Sequence, residues 1–197
     1  MTNEPEPYLD LSGKMLIAMP GMGDPRFDRS VIYMCAHSPD GAMGLIVNKP
    51  ALNLSFEELL EQLGIEVSAG AWDGAPPLRR IHVGGPVEPG RGFVLHSGEY
   101  MIDRATLVVD DTFGMTATQE ILEDMARNRG PDRTLMALGY AGWGPGQLES
   151  EIAANGWLTC DASPEIVFSA PDANKWERAL ATLGIDPLLL SADAGRA

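Results

Sequence analysis

The chain is 197 residues long, 45% hydrophobic and 21% charged, which suits one globular domain with a sizeable core. Its 28 acidic and 14 basic residues leave a net charge of −14, which opposes phosphate backbones and speaks against direct nucleic-acid binding. No apolar run approaches the ~18 residues of a membrane span, so no membrane partner is expected.

Residues 1–13 open with MTNEPEPYLD, acidic and broken by proline, and read as a flexible segment. They lack the basic start and apolar stretch of a signal peptide, so a cytoplasmic location is expected. One domain is expected over 14–190, with 98–132 as a candidate inserted subdomain and 191–197 as a tail. KMLIA at 14–18 predicts a strand, and 30–37 with 42–48 predict a hairpin. A helix follows at 55–63, capped by Ser55 with Glu58 completing a capping box and ended by Gly64. Phe56, Leu59, Leu60 and Leu63 form its buried stripe, and Glu57, Glu58 and Glu61 its solvated face.

Residues 66–78 are rich in Gly and Pro and read as a loop. Strands are expected at 80–83, 92–96 and 105–109, then a helix at 118–129 with Thr118 as cap and Gly130-Pro131 as stop. TLMALGY at 134–140 predicts a buried strand, and GWGPG turns it into a helix over about 146–155. A last helix, about 172–183, buries Trp176, Ala179, Leu180 and Leu183 and ends at Gly184. Strands cluster rather than alternate with helices, which indicates an α+β fold: a mixed β-sheet with helices packed on it, in a single compact domain.

The hairpin YMCAHSPDGAMGLIVNKP (33–50) contains Cys35, His37 and Asn48, all residue types used in catalysis. Ser38-Pro39-Asp40-Gly41 suits a type I turn. That turn pairs His37 with Ala42, Cys35 with Gly44, Tyr33 with Ile46 and Val31 with Asn48, all on one sheet face. His37 and Asn48 then lie roughly 20 Å apart at ~3.3 Å per residue, too far for one compact site. Cys35 and His37 share a face, so thiol or acid–base chemistry by this pair is the enzymatic alternative.

FDRSVIYMCAHSPDGAMGLIVNKP (27–50), VGGPVEPGRGFVLH (83–96) and ALGYAGWGPGQLESEIAANGWL (137–158) together resemble the signature blocks of the bacterial YqgE/AlgH family. The resemblance implies a compact α+β fold and no established enzymatic activity; some members carry the label of transcriptional regulator. The charge argument makes such a role indirect, through a protein or small molecule. The chain ends Gly195-Arg196-Ala197 where the family often has GHA.

No G-x-S-x-G, H-E-x-x-H or P-loop pattern occurs, and no cofactor is implied. His37, His82 and His96 lie on separate strands, and Cys35 and Cys160 form no C-x-x-C, so no metal site is expected. The best binding lead is GYAGWGPGQ (139–147), where glycines let a ligand approach and Tyr140, Trp143, Gly144 and Gln147 supply rings and an amide. Gly84, Gly85 and Arg91 form the second lead, with Arg91 able to clamp a carboxylate or phosphate. The expected partner is a small anionic or ring-containing ligand, or a protein. Asp110-Asp111 reads as a strand-end turn, because adjacent strand residues point to opposite faces.

Overall fold

The computed structural model describes residues 8–69 and 80–190. The final tripeptide and part of the 66–78 loop lie outside those residues. The order of elements is β1 (Lys14–Ala18), β2 (Val31–Ser38), β3 (Gly41–Ile46), β4 (Pro50–Ser55), α1 (Phe56–Gln62), β5 (Arg80–Val83) and β6 (Val87–Ser97). Then come β7 (Thr106–Val108), β8 (Phe113–Thr116), α2 (Gln119–Ala126), β9 (Thr134–Trp143), α3 (Gln147–Ala153), β10 (Trp157–Asp161), a π-helical turn (Glu165–Ser169) and α4 (Asp172–Thr182). The strands join in one sheet with a main path β10-β1-β2-β3-β9-β6-β8-β7. Pairing is antiparallel except that β5 runs parallel to β9, so the sheet is mixed and the fold α+β. Segment 98–132 adds β7 and β8 to the same sheet. No helix among the described residues is long and apolar enough to cross a membrane.

Alternation along the strands fills two cores. Met15, Ile17, Tyr33, Cys35 and Leu45 meet Trp176 and Leu180 of α4 in one. Leu16, Ile32, Met34 and Ile46 meet Trp143, Trp157 and Leu148 of α3 in the other. A third core sets Phe56 and Leu60 of α1 against Ile121, Leu122 and Met125 of α2, over Ile81, Val94 and Met136. The central strands are thus covered on both faces.

The expected caps are present with two exceptions. Ser55 and Glu58 exchange both hydrogen bonds of a capping box. Thr118 occupies the cap position of α2 but makes no side-chain cap bond. That helix stops at Ala126, and Asn128, at φ 56°, turns the chain before Gly130 is reached. Leu63 and Leu183 are each 41% exposed, because their helices end before the stripe returns to the core.

The hairpin register departs from expectation in one step. His37 pairs with Ala42 as the turn requires, but the ladder shifts between Met34 and Ala36. Met34, not Cys35, pairs with Gly44, and Tyr33 pairs with Leu45. Cys35 is the unpaired residue of a β-bulge. Gly44 has no room for a side chain: a Cβ there would lie 2.5 Å from Ile32 and 2.9 Å from the Tyr33 carbonyl oxygen. The bulge separates the supposed pair. Cys35 points into the first core, while the His37 ring lies on the α3 side of the sheet.

Candidate functional site

Two clefts flank the C-terminal end of β9. The larger, about 660 Å³, opens at the rim of the first core and is lined by Met43, Arg91, Phe93, Met115, Tyr140 and the hairpin turn. The other, about 560 Å³, lies beside the second core, between Met22, Phe27, Pro86, Gln147, Glu151 and Trp157. Val87, Gly142 and Trp143 border both.

The structure therefore divides the residues of the two binding leads between these clefts. Arg91 and Tyr140 share the larger cleft. Gln147 lines the smaller one, and Trp143 stands between them. Gly84, Gly85 and Gly144 line neither. The first two are packing residues: the Gly84 amide donates to the Leu138 carbonyl, and the Gly84 carbonyl accepts from Ile46. Gly144 donates its amide to the Gln147 side chain and so closes the turn into α3.

Side chains in the smaller cleft are already engaged. Trp143 and Trp157 both donate their indole N–H to Oε2 of Glu151, at 2.9 and 2.8 Å. Gln147 donates to the other oxygen of the same carboxylate at 3.1 Å. Glu151 fixes both rings, a role its surface-like helix position conceals. The Gln147–Glu151 spacing of one helical turn was the signal available in the sequence.

The larger cleft carries Arg91 at its mouth. The guanidinium lies 5.1 Å from the centre of the Phe93 ring, and Tyr140 meets that ring edge-on at 5.7 Å. Its ion pair with Glu88 spans 3.5 Å between two half-exposed side chains, an arrangement that contributes little. His37 stands at the far side with both ring nitrogens engaged. Nδ1 accepts from the Leu11 amide at 3.1 Å, which leaves Nε2–H to donate to Glu149 at 2.9 Å. Cys35 does not reach this cleft. It is 2% exposed, and burial pushes its thiol up to about 12. Cys35 and His37 therefore do not form a nucleophile–base pair.

Asn48 is structural: it accepts from the Val31 amide and donates to the Arg29 carbonyl, tying down the open end of the hairpin. Asp110 caps a turn by accepting from Thr112 and Phe113, as its strand-end position suggested. His96 is wholly buried between the Ser97 carbonyl and the Thr116 hydroxyl, and burial lowers its pKa.

A family described as AlgH-like matches residues 15–188. The chain belongs to the AlgH-like family. A UPF0301 protein of Ruegeria pomeroyi is 62% identical over 189 residues, covering 96% of this chain and 100% of its own length. The solution structure of the AlgH protein from Pseudomonas aeruginosa matches with a TM-score of 0.74 at 41% identity, covering 100% of both chains. A crystal structure of the Corynebacterium diphtheriae protein DIP2367 has a TM-score of 0.65 at 21% identity, a likeness of fold alone.

Among the described residues of this AlgH-like chain, a further polar cluster surrounds Asp172, with no local motif to mark it. Asp172, at the start of α4, lies 3.0 Å from His82 Nε2, 3.0 Å from Lys175 Nζ and 3.6 Å from Arg80. Lys175 is 2% exposed and also donates to the Val47 and Val167 carbonyls, at 2.7 and 2.8 Å. Burial opposes its charge and lowers its pKa, while Asp172 acts the other way. The signal was a lysine on an apolar stripe: positions 172, 175, 176 and 179 follow the helical i, i+3, i+4, i+7 pattern.

Burial of Asp172 alone would raise its pKa. The His82 hydrogen bond and the charges on His82 and Lys175 outweigh burial and hold it at about 2, against 3.8 when free. A carboxyl lowered on folding stabilises the fold above its free value and loses that contribution as pH falls toward the folded value. We predict that about 2 kcal/mol disappears between roughly pH 4 and pH 2. Acid titrations of wild type and Asp172→Asn, followed by Trp fluorescence, check this. Equal slopes in that window would refute it.

Proposed function

We propose that this AlgH-like chain is a non-catalytic binding protein whose ligand, a small molecule or a side chain of a partner protein, seats in the cleft of Arg91, Phe93 and Tyr140. One observation carries this reading. The cleft joins an apolar floor to a half-exposed guanidinium whose only ion pair among the described residues, with Glu88, is weak, and the Cys35 thiol does not open into it. Its volume of about 660 Å³ falls within the ~300–1,000 Å³ of small-molecule sites. Any influence on transcription would pass through that ligand or partner, because the net charge of −14 opposes contact with DNA.

A thermal-shift panel of nucleotides, thiols and carboxylates tests the site. A true ligand at about a hundredfold above its dissociation constant stabilises by about 2.7 kcal/mol, or roughly 5–10 °C for a domain of this size. Arg91→Ala and Tyr140→Leu should each abolish most of that shift. A stabilising ligand indifferent to both changes would place binding elsewhere.

A further inference from the structure

The chemistry of the larger cleft narrows its ligand class, given that the cleft is the binding site. Met43 and Met115 join Phe93 and Tyr140 in its floor. Methionine is flexible and polarizable, so this floor adapts to a chain or a ring rather than demanding one shape. Arg91 is the permanent cation among the lining residues. Its guanidinium rests on the Phe93 ring, which restrains the plane of the fork. A planar carboxylate matches that fork with two parallel hydrogen bonds. Displacing Glu88 is cheap, because the existing pair is long and exposed on both sides.

The other charges decide against alternatives. Asp40 lines the same cleft, Glu88 pairs with Arg91, and Glu149 lies behind His37. A phosphate dianion would meet one guanidinium with the Asp40 carboxylate in the same cleft and Glu88 beside the arginine. A cationic ligand would meet Arg91 itself. Both ring nitrogens of His37 are committed, so it offers an anion no free donor. We propose that the cleft binds a monocarboxylate with an apolar body, an aliphatic chain or aromatic ring lying over the two methionines with its carboxylate on Arg91.

The test compares octanoate, octanol and octyl phosphate below their micellar concentrations by titration calorimetry. Spectra of the protein labelled at its methionine methyls locate the binding. Octanoate should bind about tenfold more tightly than the other two, as a charge-assisted bidentate pair requires. The Met43 and Met115 methyl signals should shift together. Arg91→Gln should erase the preference for octanoate while leaving octanol binding unchanged. If octanol or octyl phosphate binds as tightly as octanoate and still moves those methyls, the ligand class is wrong but the cleft stands as a site. If octanoate binds without moving them, the cleft itself is the wrong site. If none of the three binds, the apolar-carboxylate class is overturned, and the broader ligand panel judges the cleft separately.

Discussion

Replacing Lys175 with methionine is expected to destabilise the protein by about 3 kcal/mol, at the low end of the ~3–5 kcal/mol typical when one partner of a buried ion pair is removed. The side chain keeps its length, so packing is nearly conserved and the loss is electrostatic. Three acceptors lose their donor: the Val47 carbonyl, the Val167 carbonyl and the Asp172 carboxylate. Those carbonyls belong to the end of the β2–β3 hairpin and to the π-helical turn, so one ammonium joins three separate parts of the chain. Asp172 retains His82 and Arg80, which is why the upper end of the range is not reached. Urea unfolding followed by the fluorescence of neighbouring Trp176 measures the effect. A loss under about 1 kcal/mol would mean that the cluster is dispensable.

Gly85→Ala should be at least as damaging, about 3–5 kcal/mol, near the top of the range for single substitutions. At φ 155° the residue has a conformation that side chains rarely adopt, and a Cβ would lie 2.1 Å from the Tyr140 carbonyl carbon. The obstacle is backbone on a central strand, so it cannot turn aside. Gly146→Ala is the control. Its φ of 70° is also left-handed, but a Cβ there meets nothing within 4 Å. That change should cost only about 1 kcal/mol, the ordinary penalty of the left-handed region. Similar losses at both positions, measured by chemical unfolding, would show that close packing of the GGP turn on β9 is unimportant.

Gly85 also marks a limit to what is legible in the sequence. Glycine-rich turns at 84–86 and 139–147 were visible, but they suggested room for a ligand. In the fold Gly85 instead makes room for the Tyr140 backbone and Gly139 for that of Gly85, with a Cβ at Gly139 only 2.4 Å from the Gly85 carbonyl oxygen. A glycine that admits a neighbouring strand and one that admits a ligand look alike until the strands are paired. The same limit hid β10. Its five residues, WLTCD, carry too short a pattern to stand out from a loop.

Local chemistry sufficed for much else. The SPDG turn closing the hairpin and the Ser55–Glu58 capping box follow from neighbours within a few residues, and both are present. Three blocks in order were enough to point to the family. Long-range pairing settled the rest. The bulge at Cys35 depends on how Gly44 meets Ile32 and Met34, and it turned an apparent Cys–His face into two residues on opposite sides of the sheet. The division of Arg91, Tyr140, Trp143 and Gln147 between two clefts depends on β9 pairing with both β3 and β6. The Lys175 cluster gathers groups from three places distant in the chain. Periodicity and turn preference act over one or two turns of backbone, so they specify elements. A site is made by which elements meet, and that is decided by packing between segments that carry no local record of each other.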